Sequence, residues 1–114
     1  MTDTDRQRCI DLCLECYRVC NSTINGHCLE AGGDHLRPEH VRLMVDCAEI
    51  CRTSADFMMR QSPRHQLTCG ICADICAQCA DDCERFGDDH MRQCAAVCRR
   101  CATSCQAMSG SAAR

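Results

Sequence analysis

The chain has 114 residues, sixteen of them Cys, and a formal net charge of −3. Leu, Ile, Val and Phe together number only 17, fewer than the roughly one in five residues a chain ordinarily needs to bury enough carbon to order itself. A large aliphatic core is therefore excluded: either the chain is disordered, or Cys side chains fill the one modest core that this length allows.

The predicted elements follow in chain order. A first helix runs from about Thr4 to Glu30 and stops at Ala31-Gly32-Gly33, glycines that suit a helix end. Cys9, Cys13, Cys16, Cys20, Ile24 and His27 form its heptad seam, with Cys28 standing off it. A second helix opens near Pro38, which fits a first helical turn, and runs to about Arg60. His40, Met44, Cys47, Cys51, Ser54 and Met58 form its seam. Ser62 reads as an N-cap and Pro63 as the first helical residue of a third helix, which ends by Arg85 or Phe86, before Gly87. Its seam is His65, Cys69, Cys72, Cys76, Cys79 and Cys83. Asp88 or Asp89 caps a fourth helix running to about Met108, with Met91, Cys94, Cys98, Cys101, Cys105 and Met108 in register.

Short connections between helices of similar length imply antiparallel neighbours. The expected fold is all-α, an up-down-up-down four-helix bundle over residues 1–108 with a Cys-lined core. Residues 109–114 read as a flexible C-terminal tail, being small and polar. Antiparallel stacking predicts layers. They are Cys16, Cys51, Cys72 and Cys101; then Cys20, Cys47, Cys76 and Cys98; then Cys13, Ser54, Cys69 and Cys105; then Ile24, Met44, Cys79 and Cys94. One end is topped by His27, Cys28, His40, Cys83, His90 and Met91. The other holds Cys9, Met58, His65 and Met108, where the methionines read as apolar plugs. Ile10, Leu14, Tyr17, Leu43, Ile50, Phe57, Leu67, Ile71, Ile75 and Val97 flank the seam and are expected to pack between helices, some of them facing other subunits.

The Cys spacing decides the chemistry. Fifteen of the sixteen lie three or four residues from another Cys, the period of one helix face. Cβ atoms at that spacing are about 5–6 Å apart, whereas a disulfide wants about 3.5–4.5 Å. A reduced interior is the better reading. The polar N-terminus, from Met1 to Arg8, does not read as a secretory signal, so a cytoplasmic protein is expected, where thiols stay reduced. No apolar run approaches the roughly 18 residues of a membrane helix. The basic residues are all Arg, scattered without a stripe, and aromatics make up 3% of the chain, which disfavours nucleic acid. No activated nucleophile or carboxylate pair suggests an enzyme, and no catalytic residue is assigned.

One buried Cys is ordinarily a small hydrophobe. A register of them on four helices is a soft-metal site, suited to Cu(I), zinc or iron–sulfur clusters. The steps from Cys69 to Cys79 are three, four and three with no Pro, unlike a ferredoxin motif. Zinc in tetrathiolate sites carries −2 per metal, and buried net charge is costly. Cu(I) shared by bridging thiolates approaches one ion per Cys and leaves the column nearly neutral. A metallothionein-like zinc protein and a thiol redox buffer remain the competing classes.

The CxxxC and CxxC steps on all four helices, from Cys9 to Met108, resemble the bacterial copper storage proteins, in particular their cytosolic branch. The resemblance implies storage of multiple Cu(I) per chain in a four-helix bundle that assembles as a homotetramer. It carries the sixteen Cys over as ligands. His27, His40, Met44, His90 and Met91 match in kind the polar ligands of the family's open end, where a copper chaperone or small-thiol donor would deliver the ion. His35 and His65 read as ordinary helix-end polarity.

Overall fold

The structure is a computed structural model that describes residues 2–110. Its secondary structure is helical throughout the described residues. Helix α1 (Asp3–Ser22) is opened by Thr2, whose hydroxyl accepts from the Asp5 N–H at 3.0 Å while the Asp5 carboxylate accepts from the Thr2 N–H. This reciprocal cap satisfies two otherwise orphaned donors. The rod continues through a π-helical turn, Thr23–Cys28, and a last α-turn, Leu29–Ala31. Gly32, at φ +67°, ends it in a conformation glycine adopts without steric cost. A 3₁₀ turn, Gly33–Leu36, then leads into α2 (Pro38–Met59), with Pro38 in the first turn as expected.

Helix α3 (His65–Glu84) begins two residues later than Pro63. The reason lies in how α2 ends. Gln61 adopts φ +57°, its N–H reaching the Met58 carbonyl and the Ser62 N–H reaching the Phe57 carbonyl. This pair of bonds is a Schellman ending. It leaves Ser62 to close a separate turn, in which its hydroxyl accepts from the Arg64 N–H at 3.1 Å. Helix α4 (Asp89–Met108) is capped by Asp88, whose Oδ1 accepts from the Met91 N–H at 2.8 Å. Ser109, assigned to the tail by composition, is buried. Gly110 is also described, at φ +74°, and residues 111–114 of the expected tail lie outside the described residues.

The helices pack as a square, α1 against α2 and α4, and α3 against α2 and α4. The molecule measures 42 × 24 × 21 Å. All sixteen Cys are fully buried, with Met44, Met58 and Met91 beside them. Only Ile10, Ile24 and Val97 represent the branched aliphatics in the core. Alanines complete it at seven-residue intervals: Ala48 and Ala55, Ala73 and Ala80, Ala95 and Ala102. Such short side chains beside the seam let backbones approach, because interaxial distance follows side-chain size at the contact. Tyr17, Leu43, Ile50 and Ile75 pack partly buried against the core, as expected. Leu14, Leu67 and Ile71 do not: they are exposed, lying outside the angular width of the buried stripe. Arg99 pairs with Asp81 and Glu84 at 2.9 Å, an exposed tie between α3 and α4. No helix among the described residues is long and apolar enough to cross a membrane.

Candidate metal centre

The heptad seams turn fifteen thiols inward along one axis, the π-helical turn adds Cys28, and all sixteen are free. Consecutive sulfurs form an unbroken path. From the far end it runs Cys9 to Cys105 (3.8 Å), Cys105 to Cys13 (3.4 Å), Cys13 to Cys101 (3.7 Å) and Cys101 to Cys51 (3.9 Å). It continues Cys51 to Cys76 (3.4 Å), Cys76 to Cys47 (3.6 Å), Cys47 to Cys20 (3.9 Å) and Cys20 to Cys94 (3.8 Å).

Three quartets have sulfurs mutually within 4.8 Å: Cys13, Cys72, Cys101 and Cys105; Cys16, Cys51, Cys76 and Cys101; and Cys16, Cys20, Cys47 and Cys98. The flat layers expected from sequence are therefore staggered. Cys16 lies 3.8 Å from Cys98 and 3.9 Å from Cys47, one layer beyond its expected partners. Inward positions recur every three or four residues, so antiparallel helices interleave when their axial offset is a fraction of a turn. Other expected pairs hold their level, including Cys51 with Cys72 at 3.7 Å and Ser54 with Cys69 at 3.3 Å. Met44 offers its sulfur to Cys79 and Cys83, each at 3.5 Å.

The π-helical turn redraws the end beside Gly32. One extra residue in that turn rotates the chain, so Cys28 takes the inward place that an α-helical count gives His27. Cys28 is fully buried, 3.7 Å from His40 Nε2 and 3.9 Å from the Met91 sulfur. His27 moves to the rim, stacked on exposed His90 with ring centroids 4.2 Å apart. His40 is fully buried, and its Nδ1 meets Asp82 Oδ2 at 2.5 Å. A carboxylate on the far nitrogen fixes which imidazole nitrogen is free to face a ligand. Asp82 was not singled out in the sequence, where it is one acid among many. Asp88 was expected as a helix cap, not as a partner of histidines, yet its Oδ2 lies 2.7 Å from His35 Nε2 and 3.3 Å from His27 Nε2.

The electrostatics divide the thiols of the column, some held protonated and others held as thiolate by their neighbours. Burial, with the charges of Cys94 and Asp88, pushes the Cys28 thiol up to about 11. Cys20, Cys51 and Cys105 are pushed up by neighbouring sulfurs and then by burial. Cys16 and Cys72 are pulled down, first through Cys101 and then through other thiol donors. One thiolate can thus be held by surrounding S–H groups, while further ones meet its charge. A cation entering the column displaces protons and removes that repulsion.

The comparisons with known proteins agree with this chemistry. The sequence model of one family, described as copper storage protein (Csp), matches residues 2–110. The crystal structure of the Nitrosospira multiformis protein Nmul_A1745 is 48% identical, with 96% of this chain and 98% of that one covered at a TM-score of 0.92. The Cu(I)-bound copper storage protein BsCsp3 is 34% identical, covering 92% and 98% of the two chains at a TM-score of 0.86. A Streptomyces lividans copper storage protein loaded with 10 copper equivalents is 28% identical, covering 94% and 85% at 0.80. An uncharacterised cysteine-rich Bacillus subtilis protein, YhjQ, is 36% identical over 70 residues, 61% of this chain and 64% of that protein. With a match over its whole described length, the chain belongs to the copper storage protein family.

Proposed function

We propose that this protein stores Cu(I) in the cytosol, on the sulfur column. The carrying observation is that the quartets are not separate: Cys101 belongs to two of them and Cys16 to two. Shared sulfurs suit bridging thiolates, which let the number of ions approach the number of Cys while the buried charge stays small. All sixteen Cys are assigned as ligands. Met44 serves Cys79 and Cys83; His40 and Met91 serve Cys28. His27 and His90 form the rim where the ion arrives from a small-thiol complex or a chaperone. The copper-loaded relatives support this reading, as does the one described as a cytosolic copper storage protein. A homotetramer is part of the proposal, supported by the exposed apolar side chains of Val45, Leu67 and Ile71.

Zinc is the competing cargo for a specific reason. A tetrahedral thiolate site with bonds of about 2.3 Å separates its sulfurs by roughly 3.8 Å, a spacing the column also shows. Anaerobic titration of the reduced protein with Cu(I), against a competing chelator, decides between them. The expected end point is about one Cu(I) per thiol. Saturation at one or two ions per chain overturns storage, and zinc saturating near four per chain with tighter retention than copper favours the metallothionein-like reading. A count of disulfides in protein taken from reducing cytosol tests the redox-buffer class.

A further inference from the structure

A second cluster of donors stands outside the thiol column. His27 comes from the π-helical turn, His35 from the 3₁₀ turn and Asp88 from the cap of α4. Their donor atoms lie within 4.8 Å of one another. We propose that His27, which the storage reading also places at the entry rim, joins His35 and Asp88 in a site outside the thiol column for a borderline divalent cation of the Zn(II) class.

The donor set carries the choice of metal. The cluster contains no sulfur, and two imidazoles with one carboxylate suit Zn(II)-like ions, whereas Cu(I) favours thiolate and thioether. Bonds of about 2.0–2.1 Å in a tetrahedral site place ligand atoms roughly 3.3 Å apart. His27 Nε2 and Asp88 Oδ2 already have that spacing, at 3.3 Å. His35 Nε2, hydrogen-bonded to the same oxygen at 2.7 Å, needs to retreat by about half an ångström as a shared cation replaces the shared proton.

The groups are also held in place. Asp88 Oδ1 is engaged by the Met91 N–H at 2.8 Å, which leaves Oδ2 facing the two imidazoles. His27 stacks on His90, and His35 lies against Phe86 with ring centroids 4.5 Å apart. Such fixed rings lower the ordering cost of ligation. The three side chains keep 17–35% of their surface exposed, so a fourth position is open to water. Binding would join the turn after α1 to the start of α4, across the rim above Cys28.

Co(II) is the probe, because its spectrum separates nitrogen and oxygen ligands from thiolates. Protein first filled with Cu(I), which rests on the storage reading, is titrated with Co(II) without air. The expected result is one Co(II) per chain, with weak visible bands and no thiolate charge-transfer absorption in the near ultraviolet. His35→Ala and Asp88→Asn should each weaken it by about tenfold or more. The second variant keeps a side-chain oxygen for the Met91 N–H, and circular dichroism checks that both fold. No Co(II) uptake, thiolate absorption alone, or uptake unchanged in both variants overturns the site. If the chain takes up no Cu(I), storage fails on its own evidence; the Co(II) titration is then run on the reduced apoprotein and read by the same spectral criterion.

Discussion

Cys101 and Cys16 each sit in two sulfur quartets, whereas Cys28 meets only a nitrogen and a thioether. These positions should not be equivalent. Cys101→Ala is expected to lower the Cu(I) capacity by more than one ion per chain, and Cys28→Ala by at most one. Titration against a chelator gives both numbers. Cys28 also has a pH signature. Its neutral form is favoured in the fold, with the thiol raised to about 11. The stability this contributes is complete below the unfolded thiol value near 8.5 and is lost as pH rises through about 11. The thermal midpoint of the apoprotein should therefore fall across that window, and fall less steeply in Cys28→Ala. An equal slope in both proteins would refute the assignment. Asp82 is the third telling residue. Removing it in Asp82→Ala leaves His40 Nδ1 buried without a partner, at a cost of about 1–3 kcal/mol. Urea unfolding of the apoprotein measures that loss.

At the scale of elements, two departures from regular helix carry consequences. Gln61 holds a left-handed conformation at the end of α2, which costs a non-glycine residue about 1 kcal/mol or more. Gln61→Gly should raise stability by about that amount, seen as a higher urea midpoint at unchanged slope. A lower midpoint would mean that Gln61 makes compensating contacts. The π-helical turn is the other departure. It behaves as a one-residue insertion, so deleting exposed Gly26 should restore α-helix while leaving Cys28 inward. The check is slow reaction of all sixteen thiols with a disulfide reagent, as in the parent. Rapid modification of one thiol would show that the turn is needed to bury Cys28. Both features escaped the heptad count for the same reason: a period of 3.5 carries no signal of where a helix gains a residue or which non-glycine residue crosses to positive φ.

At the scale of the whole molecule, the close approach of four helices is what makes a sulfur column. The seven-residue alanine pairs on α2, α3 and α4 flank it. Ala73→Leu should overpack that boundary and cost about 1–3 kcal/mol, with a drop in Cu(I) capacity if the helices are forced apart. Unchanged stability and capacity would mean that the helices have slack at this contact. The apoprotein itself is expected to be folded, because neutral thiols pack as small apolar groups. Copper loading should then raise the thermal midpoint through binding to the native state alone.

Much of this was open to reading from the sequence. Composition excluded a large carbon core, while periodicity with the glycine, proline and cap signals specified the four helices, the inward register of fifteen Cys and the poor fit of disulfides within one helix, because steps of three and four have only one face to occupy. The metal class followed from the chemistry of thiols repeated in that register. Antiparallel stacking also anticipated some cross-helix pairs, Cys51 with Cys72 and Ser54 with Cys69 among them, but the axial offsets and the contacts at the loops required the tertiary structure. The axial stagger merged the expected layers into quartets that share Cys16 and Cys101. The extra residue of the π-helical turn exchanged His27 for Cys28 on the inward face. Convergence of three segments at the rim gave Asp88 two imidazole neighbours, and α3 brought Asp82 to His40. A helical repeat dictates which way a side chain faces. How far one helix slides along another depends on packing, and the loops that join them depend on local backbone conformation.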